Sequence, residues 1–150
     1  MVSWPYLLKI SVTEILIGIS FKVYLRVAIN KNSNNNNVLT IASIYGRTEI
    51  VRLLIKFSIE SNANVNSINK FNETVLFNES RNGHLEIVRL LIEKRAEVNI
   101  QNNCGYTALI YASNNIYQSI VEVLVAAGAN LDIKNRFENT ALIYARRNGH

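Results

Sequence analysis

A period of 33 residues dominates the chain. "TALIYA" stands at 107–112 and again at 140–145, 33 apart, and "RNGH" stands at 81–84 and at 147–150, 66 apart. "EIVRLLI" occurs at 49–55 and 86–92, a separation of 37. Four residues inserted near 58–61 restore the period there, because "ANVN" at 63–66, "AEVN" at 96–99 and "ANLD" at 129–132 again recur every 33. Self-similarity at a fixed spacing of this size marks a chain built from stacked supersecondary units. It sets aside most single-core folds before composition is considered.

Each unit carries the same physical signals. An asparagine comes first (Asn32, Asn69, Asn102, Asn135), and its short amide side chain can close a turn on its own backbone. Five residues on stands a helix N-cap: Thr74, Thr107 and Thr140, with Asn37 in the first unit. A short apolar helix follows and ends near Gly46 or Gly83, where a left-handed turn meets no Cβ. A second helix then lays Ile87, Val88, Leu90, Leu91 and Ile92 along one face, and in the third unit it ends at Gly128. One such pair cannot bury its own apolar surface, whereas stacked pairs bury each other's. The expected fold is an all-α solenoid of stacked helix-turn-helix pairs. Its units are 32–68 with the short insertion, 69–101, 102–134 and a partial fourth at 135–150.

The chain has 150 residues, long enough to bury a core, and 49% hydrophobic with 18% charged residues is ordinary for a folded protein. The net charge of +5 is dispersed: +3 in 1–31, +1 in 32–68, zero in 69–101, −1 in 102–134 and +2 in 135–150. A scattered surplus favours solubility over a phosphate-binding stripe, so nucleic acid is not an expected partner. Cys104 is the only cysteine, which excludes an intrachain disulfide and a cysteine-rich metal site. Lys9, Glu14, Lys22 and Arg26 interrupt the apolar N-terminus, so it reads as neither signal peptide nor membrane anchor, and a cytoplasmic location is expected. The heavy use of asparagine and isoleucine, including the run at 34–37, reads as codon-level bias rather than chemical adaptation.

The unit N-x-x-G-x-T-A-L … G-H-L-E-I-V-x-L-L … G-A-x-V-N, in three full copies and a truncated fourth over 32–150, resembles the ankyrin repeat. The resemblance implies an L-shaped stack of helix pairs with β-hairpin-like turns projecting to one side. It further implies a concave surface, formed by the turns and first helices, that binds other proteins. Several positions depart from the family pattern. Val75, Ala108 and Ala141 replace the proline after the N-cap, and Thr40, Phe77, Ile110 and Ile143 replace the histidine two residues further on. Ile116 and Arg95 replace glycines where the backbone must turn left-handed, at a cost of roughly 1–2 kcal/mol each.

Residues 1–31 fall outside the period. From Ile17 to Ile29 every odd position is apolar, which taken alone is a strand signal. An ankyrin stack, however, has no sheet to join and needs a cover on its first repeat. The favoured reading is a degenerate, mostly helical cap, with a strand or irregular segment as the alternative.

Catalytic constellations are not evident. His84 and His150 occupy one repeat position at the start of a second helix, Cys104 lies at a turn tip, and Glu49, Glu86 and Glu93 fall on solvated helix faces. Neither a P-loop, a G-x-G-x-x-G nor a zinc ligand set is present, so neither enzymatic activity nor a cofactor is expected. What remains is surface. Positions that change from unit to unit are the candidates for partner binding. Around the turns these are Lys70, Phe71 and Glu73, then Asn103, Cys104 and Tyr106, then Arg136, Phe137 and Asn139. Near the ends of the first helices they are Arg81 and Asn82, then Asn114 and Asn115, then Arg147 and Asn148. Phe71, Tyr106 and Phe137 supply an aromatic in three consecutive turns, and aromatics and arginine are frequent interface anchors.

The expected function is a monomeric, non-catalytic module that binds a partner protein through this surface. The second RNGH ends the sequence where a second helix would begin, so a truncated array without independent function is the alternative. Binding of nucleic acid through the basic excess ranks third.

Overall fold

The computed structural model describes residues 38–61 and 64–149, without the side chains of residues 38 and 57–61. The segment 1–31, the first-unit turn residue Asn32, the cap assigned to Asn37 and the terminal His150 lie outside the described residues. Seven helices follow one another: α1 Val38–Ile44, α2 Thr48–Ser61, α3 Val75–Asn82, α4 Leu85–Glu93, α5 Ala108–Asn114, α6 Gln118–Ala126 and α7 Ala141–Arg147. Every regular element among the described residues is a helix. None of them is long and apolar enough to cross a membrane.

The helices form two layers. First helices α1, α3, α5 and α7 pack side by side, as do second helices α2, α4 and α6, and each pair α1–α2, α3–α4 and α5–α6 packs across the layers. The core lies between them. From the first layer come Leu39, Leu76, Phe77, Leu109 and Ile110; from the second come Val51, Ile55, Ile87, Leu91, Ile120 and Leu124. Each such side chain contributes about 1.5–3 kcal/mol on burial. Thr40, Phe77 and Ile110, which depart from the family histidine, are all buried. At α7 the second layer is missing among the described residues: Ala141 is buried, but Leu142 is 59% exposed where its equivalent Leu109 is 2% exposed.

The local signals act as their chemistry requires. Thr74 Oγ1 accepts a hydrogen bond from the Phe77 amide at 3.1 Å, and Thr107 Oγ1 accepts one from Ile110 at 3.2 Å. Thr140 stands at the same position in extended backbone, but its side chain makes no capping bond. The four extra residues of the first unit fall at the C-terminal end of α2, which runs 14 residues against nine in α4 and α6. Arg95 (φ 59°) and Ile116 (φ 63°) are left-handed, as their positions require, and Asn72 (φ 64°) and Glu138 (φ 59°) adopt the same conformation in the turns. Gly105 is the glycine of that turn series. A Cβ there would lie 2.9 Å from the Asn135 Cα, so the neighbouring turn excludes a side chain.

Candidate protein-interaction surface

Asparagine builds the turns. Asn69 Oδ1 accepts from the amides of Phe71 (2.9 Å) and Glu73 (3.0 Å), and Asn102 Oδ1 accepts from Cys104 (2.9 Å) and Tyr106 (3.0 Å). Asn135 repeats the pattern with Phe137 at 2.9 Å and Asn139 at 3.1 Å. One amide oxygen thereby satisfies two backbone donors that the tight turn leaves unpaired; Asn69 and Asn135 are buried and Asn102 is half-buried. Adjacent turns are then tied by backbone bonds, Asn103 N to Phe71 O at 2.9 Å and Arg136 N to Cys104 O at 3.1 Å.

Further asparagines tie one unit to the next. Asn115 Nδ2 donates to Arg81 O at 2.8 Å, and Asn148 Nδ2 donates to Asn114 O at 2.8 Å. Asn66 Oδ1 accepts from the Glu97 amide at 2.9 Å, and Asn99 Oδ1 accepts from the Asn130 amide at 2.8 Å. The reading of asparagine abundance as codon bias alone is therefore incomplete. Within the described units the amides act as stacking bonds between repeats.

This has consequences for the candidate residues. Asn103 donates from Nδ2 to Lys70 O at 3.1 Å, so its side chain is engaged in stacking, as is that of Asn115. Lys70, Asn82, Asn114 and Arg136 are exposed, while Glu73 and Asn139 are half-buried. Phe71 and Phe137 stand out at the turn tips, 51% and 68% exposed, with the Lys70 ammonium 5.0 Å from the centre of the Phe71 ring. Tyr106 is different. It sits two positions further along its turn than the two phenylalanines do in theirs, and it is half-buried against the first helices.

There it joins residues that the repeat comparison left in the helices. The Phe77 and Tyr111 rings meet edge to face with centroids 4.9 Å apart, Tyr111 and Tyr106 lie 4.7 Å apart, and Tyr106 and Tyr144 6.1 Å apart. The result is a strip of four rings running across α3, α5 and α7. An arginine closes each end: Arg81 lies 5.9 Å from the centre of the Phe77 ring, and Arg147 lies 5.9 Å from that of Tyr144. Arg81 also reaches Glu73 at 3.6 Å, and Glu73 accepts from Asn69 Nδ2 at 3.0 Å. The tyrosines of the strip were legible as the Tyr of "TALIYA" at Tyr111 and Tyr144. What hid them was that an aromatic in an apolar helix reads first as core.

The Tyr106 and Tyr144 hydroxyls lie 2.9 Å apart, and Asn135 Nδ2 donates to the Tyr144 oxygen at 2.9 Å. Donation to Tyr144, followed by burial, pushes the Tyr106 hydroxyl up to about 12. Burial pushes Tyr144 up too, but the bonds from Tyr106, Asn135 and Asn139 and the charge of Arg147 outweigh it and leave Tyr144 below the usual phenol value. Burial also raises Tyr111.

The groups weighed as reactive are placed as structure. His84 is the N-cap residue of α4, and its Nδ1 lies 2.6 Å from Oε2 of the fully buried Glu79. Glu49, Glu86 and Glu93 are exposed on second helices, and Cys104 is an exposed free thiol at a turn tip. Glu79 escaped the sequence reading, although it replaces the alanine found at Ala42, Ala112 and Ala145.

The ankyrin-repeat family model matches the chain in three overlapping copies, at 9–102, 55–135 and 80–150. The first begins at residue 9, ahead of the 33-residue periodicity. No curated protein matches the chain closely enough to be reported as a relative. Ankyrin repeats are in general protein–protein interaction modules and are typically non-catalytic. The layered helix pairs, the asparagine-closed turns and a family match extending over 9–150 agree, and the chain belongs to the ankyrin-repeat family.

Proposed function

We propose that this chain is a non-catalytic module that binds a partner protein through the face formed by its turns and first helices. The observation that carries the reading is the half-buried strip Tyr111–Tyr106–Tyr144, backed by the buried Phe77 ring and with an arginine at either end. Tyrosine and arginine supply large contact area and directed polar groups together, which is why they anchor interfaces. Phe71 and Phe137 at the tips extend the same face and, being exposed, serve contact better than stability.

Lys70, Asn82, Asn114, Arg136 and Asn139 border the strip and act as its polar rim. Asn103 and Asn115 shape the face through the bonds that stack it. The module acts as a monomer, and the unpaired, exposed Cys104 suits a reducing compartment such as the cytoplasm.

Selection of random twelve-residue peptides on the immobilised full chain tests the reading. Peptides should be enriched, and Phe71→Ala with Phe137→Ala should weaken them more than twofold. Tyr106→Ala should weaken them at least tenfold. Peptides bound equally by these variants would contradict it.

A further inference from the structure

We infer that the end of the stack beside α6 and α7 is a docking lane for one amphipathic helix of a partner protein, a helix with an acidic first turn. This surface is separate from the turn-and-first-helix face, and the inference stands without that reading.

Equivalent positions in successive units locate the lane. Val51 and Val88 are fully buried, but their equivalent Val121 on α6 is half-buried. Four residues on, Ile55 is fully buried and Ile92 half-buried, whereas Val125 is 42% exposed. On α7, Leu142 is exposed where Leu39, Leu76 and Leu109 are buried, and Ala145 is half-buried where Ala112 is fully buried. Val121 and Val125 stand four apart on one helix face, and Leu142, Ala145 and Arg146 share a face of α7 at spacings of three and four. Two apolar stripes therefore flank a lane whose cover no described residue supplies.

The repeat itself shows what fits. In the second and third units the second helix brings Ile87 with Leu91, and Ile120 with Leu124, into the core, each pair four residues apart and each residue at most 2% exposed. A helix with isoleucine or leucine at that spacing has the matching face. Nine residues suffice in α4 and in α6.

Charge narrows the occupant. Arg146 takes the place of Ser43, Ser80 and Ser113, which are buried, and it is exposed with no carboxylate partner among the described residues. A second copy of this array stacked on the same end would bury that guanidinium unpaired, which is strongly unfavourable. A single helix in the second layer need not. Only Gly83 and His84 separate α3 from α4, so a helix docked in the orientation of α4 begins beside the last turn of α7, next to Arg146. An acid in its first turn, like Glu49 in α2 and Glu86 in α4, would meet that charge and suit the positive end of the helix.

The test uses the full chain and a fluorescein-labelled peptide with the sequence of residues 83–98, read by anisotropy and by hydrogen exchange. The expected result is saturable binding that slows exchange of the α7 amides. It should fall at least tenfold in Leu142→Ser, and for a peptide carrying Ile87→Ser with Leu91→Ser. Leu142 is mostly exposed, so its serine variant should keep the urea midpoint of the parent. Arg146→Glu should weaken the parent peptide and restore affinity for a peptide carrying Glu86→Lys, a rescue that damage to the fold cannot produce. Absence of binding, binding that leaves α7 exchange unchanged, or binding that survives Leu142→Ser overturns the inference. Binding lost in Tyr106→Ala but kept in Leu142→Ser would place the peptide on the turn-and-first-helix face, leaving that reading intact while this one fails. Self-association of the free chain in sedimentation, lost in Leu142→Ser, would make a second copy the occupant and also overturn it.

Discussion

His84 Nδ1 lies 2.6 Å from Oε2 of Glu79, whose side chain is 0% exposed, while Glu79 Oε1 has no hydrogen-bond partner. A carboxylate acceptor requires that Nδ1 carry the proton. Removing one partner strands the other, whereas removing both restores the alanine that fills this position in the other units. His84→Ala should therefore cost about 3 kcal/mol. Glu79→Ala/His84→Ala should return to within about 1 kcal/mol of the parent. Urea melts of the three chains measure the cycle; an additive double variant would show that the pair is not coupled.

The left-handed residues give a graded series. A β-branched side chain is the least tolerant of positive φ, and asparagine the most tolerant. Ile116→Gly should raise stability by about 1 kcal/mol, with Arg95→Gly and Glu138→Gly somewhat below that. Asn72→Gly should gain nothing, because Asn72 Nδ2 also donates to Gln101 O at 2.9 Å. Gly105→Ala should lose about 2 kcal/mol, since strain and the 2.9 Å approach to Asn135 act together. A flat urea midpoint across Ile116→Gly and Arg95→Gly would contradict the strain argument.

Much of this was legible. Ile116 and Arg95 could be read as strained because glycine stands at their equivalents in other units, and the N-cap threonines because they stand five residues after each turn asparagine. Glu138 takes the place of Gly105 in the fourth turn and carries the same left-handed backbone, a signal present in the sequence beside the unit's missing second helix. The candidate surface was less legible. Repeat alignment identifies variable positions but not which variable side chains meet across units. Tyr111 and Tyr144 therefore read as helix interior, although only Phe77 of the four rings is fully buried, while Asn103 and Asn115 read as free contact groups. The aromatic at each turn was real, but Tyr106 belongs to another position from Phe71 and Phe137.

The paired hydroxyls of Tyr106 and Tyr144 should be visible in an alkaline titration. Tyr106 is raised, so its contribution to stability is full below its ordinary value near 10 and is lost as pH climbs toward about 12. Tyr144 is lowered, so its contribution has the opposite sign and appears as pH rises through its folded value. Tyrosinate absorbance should show one hydroxyl still protonated above pH 11 or so, and Tyr144→Phe should bring Tyr106 back toward 10. An unchanged high-pH step in Tyr144→Phe would show that the bond is not its cause.

α7 has only one layer of cover, with Leu142 59% exposed, and seven residues are too few to persist on local bonds alone. Its amides should exchange with solvent at least about a hundredfold faster than those of α5. Hydrogen exchange resolves the two helices. Equal protection would mean that the Tyr144 and Asn148 bonds to the third unit suffice to hold α7.

The most direct test of the central claim is an amide shift map of the full chain during titration with a selected peptide. The account expects the largest shifts in the turns and in α3, α5 and α7, centred on Tyr106, Tyr111 and Tyr144. Shifts confined to α2, α4 and α6 would place binding on the opposite layer and contradict it.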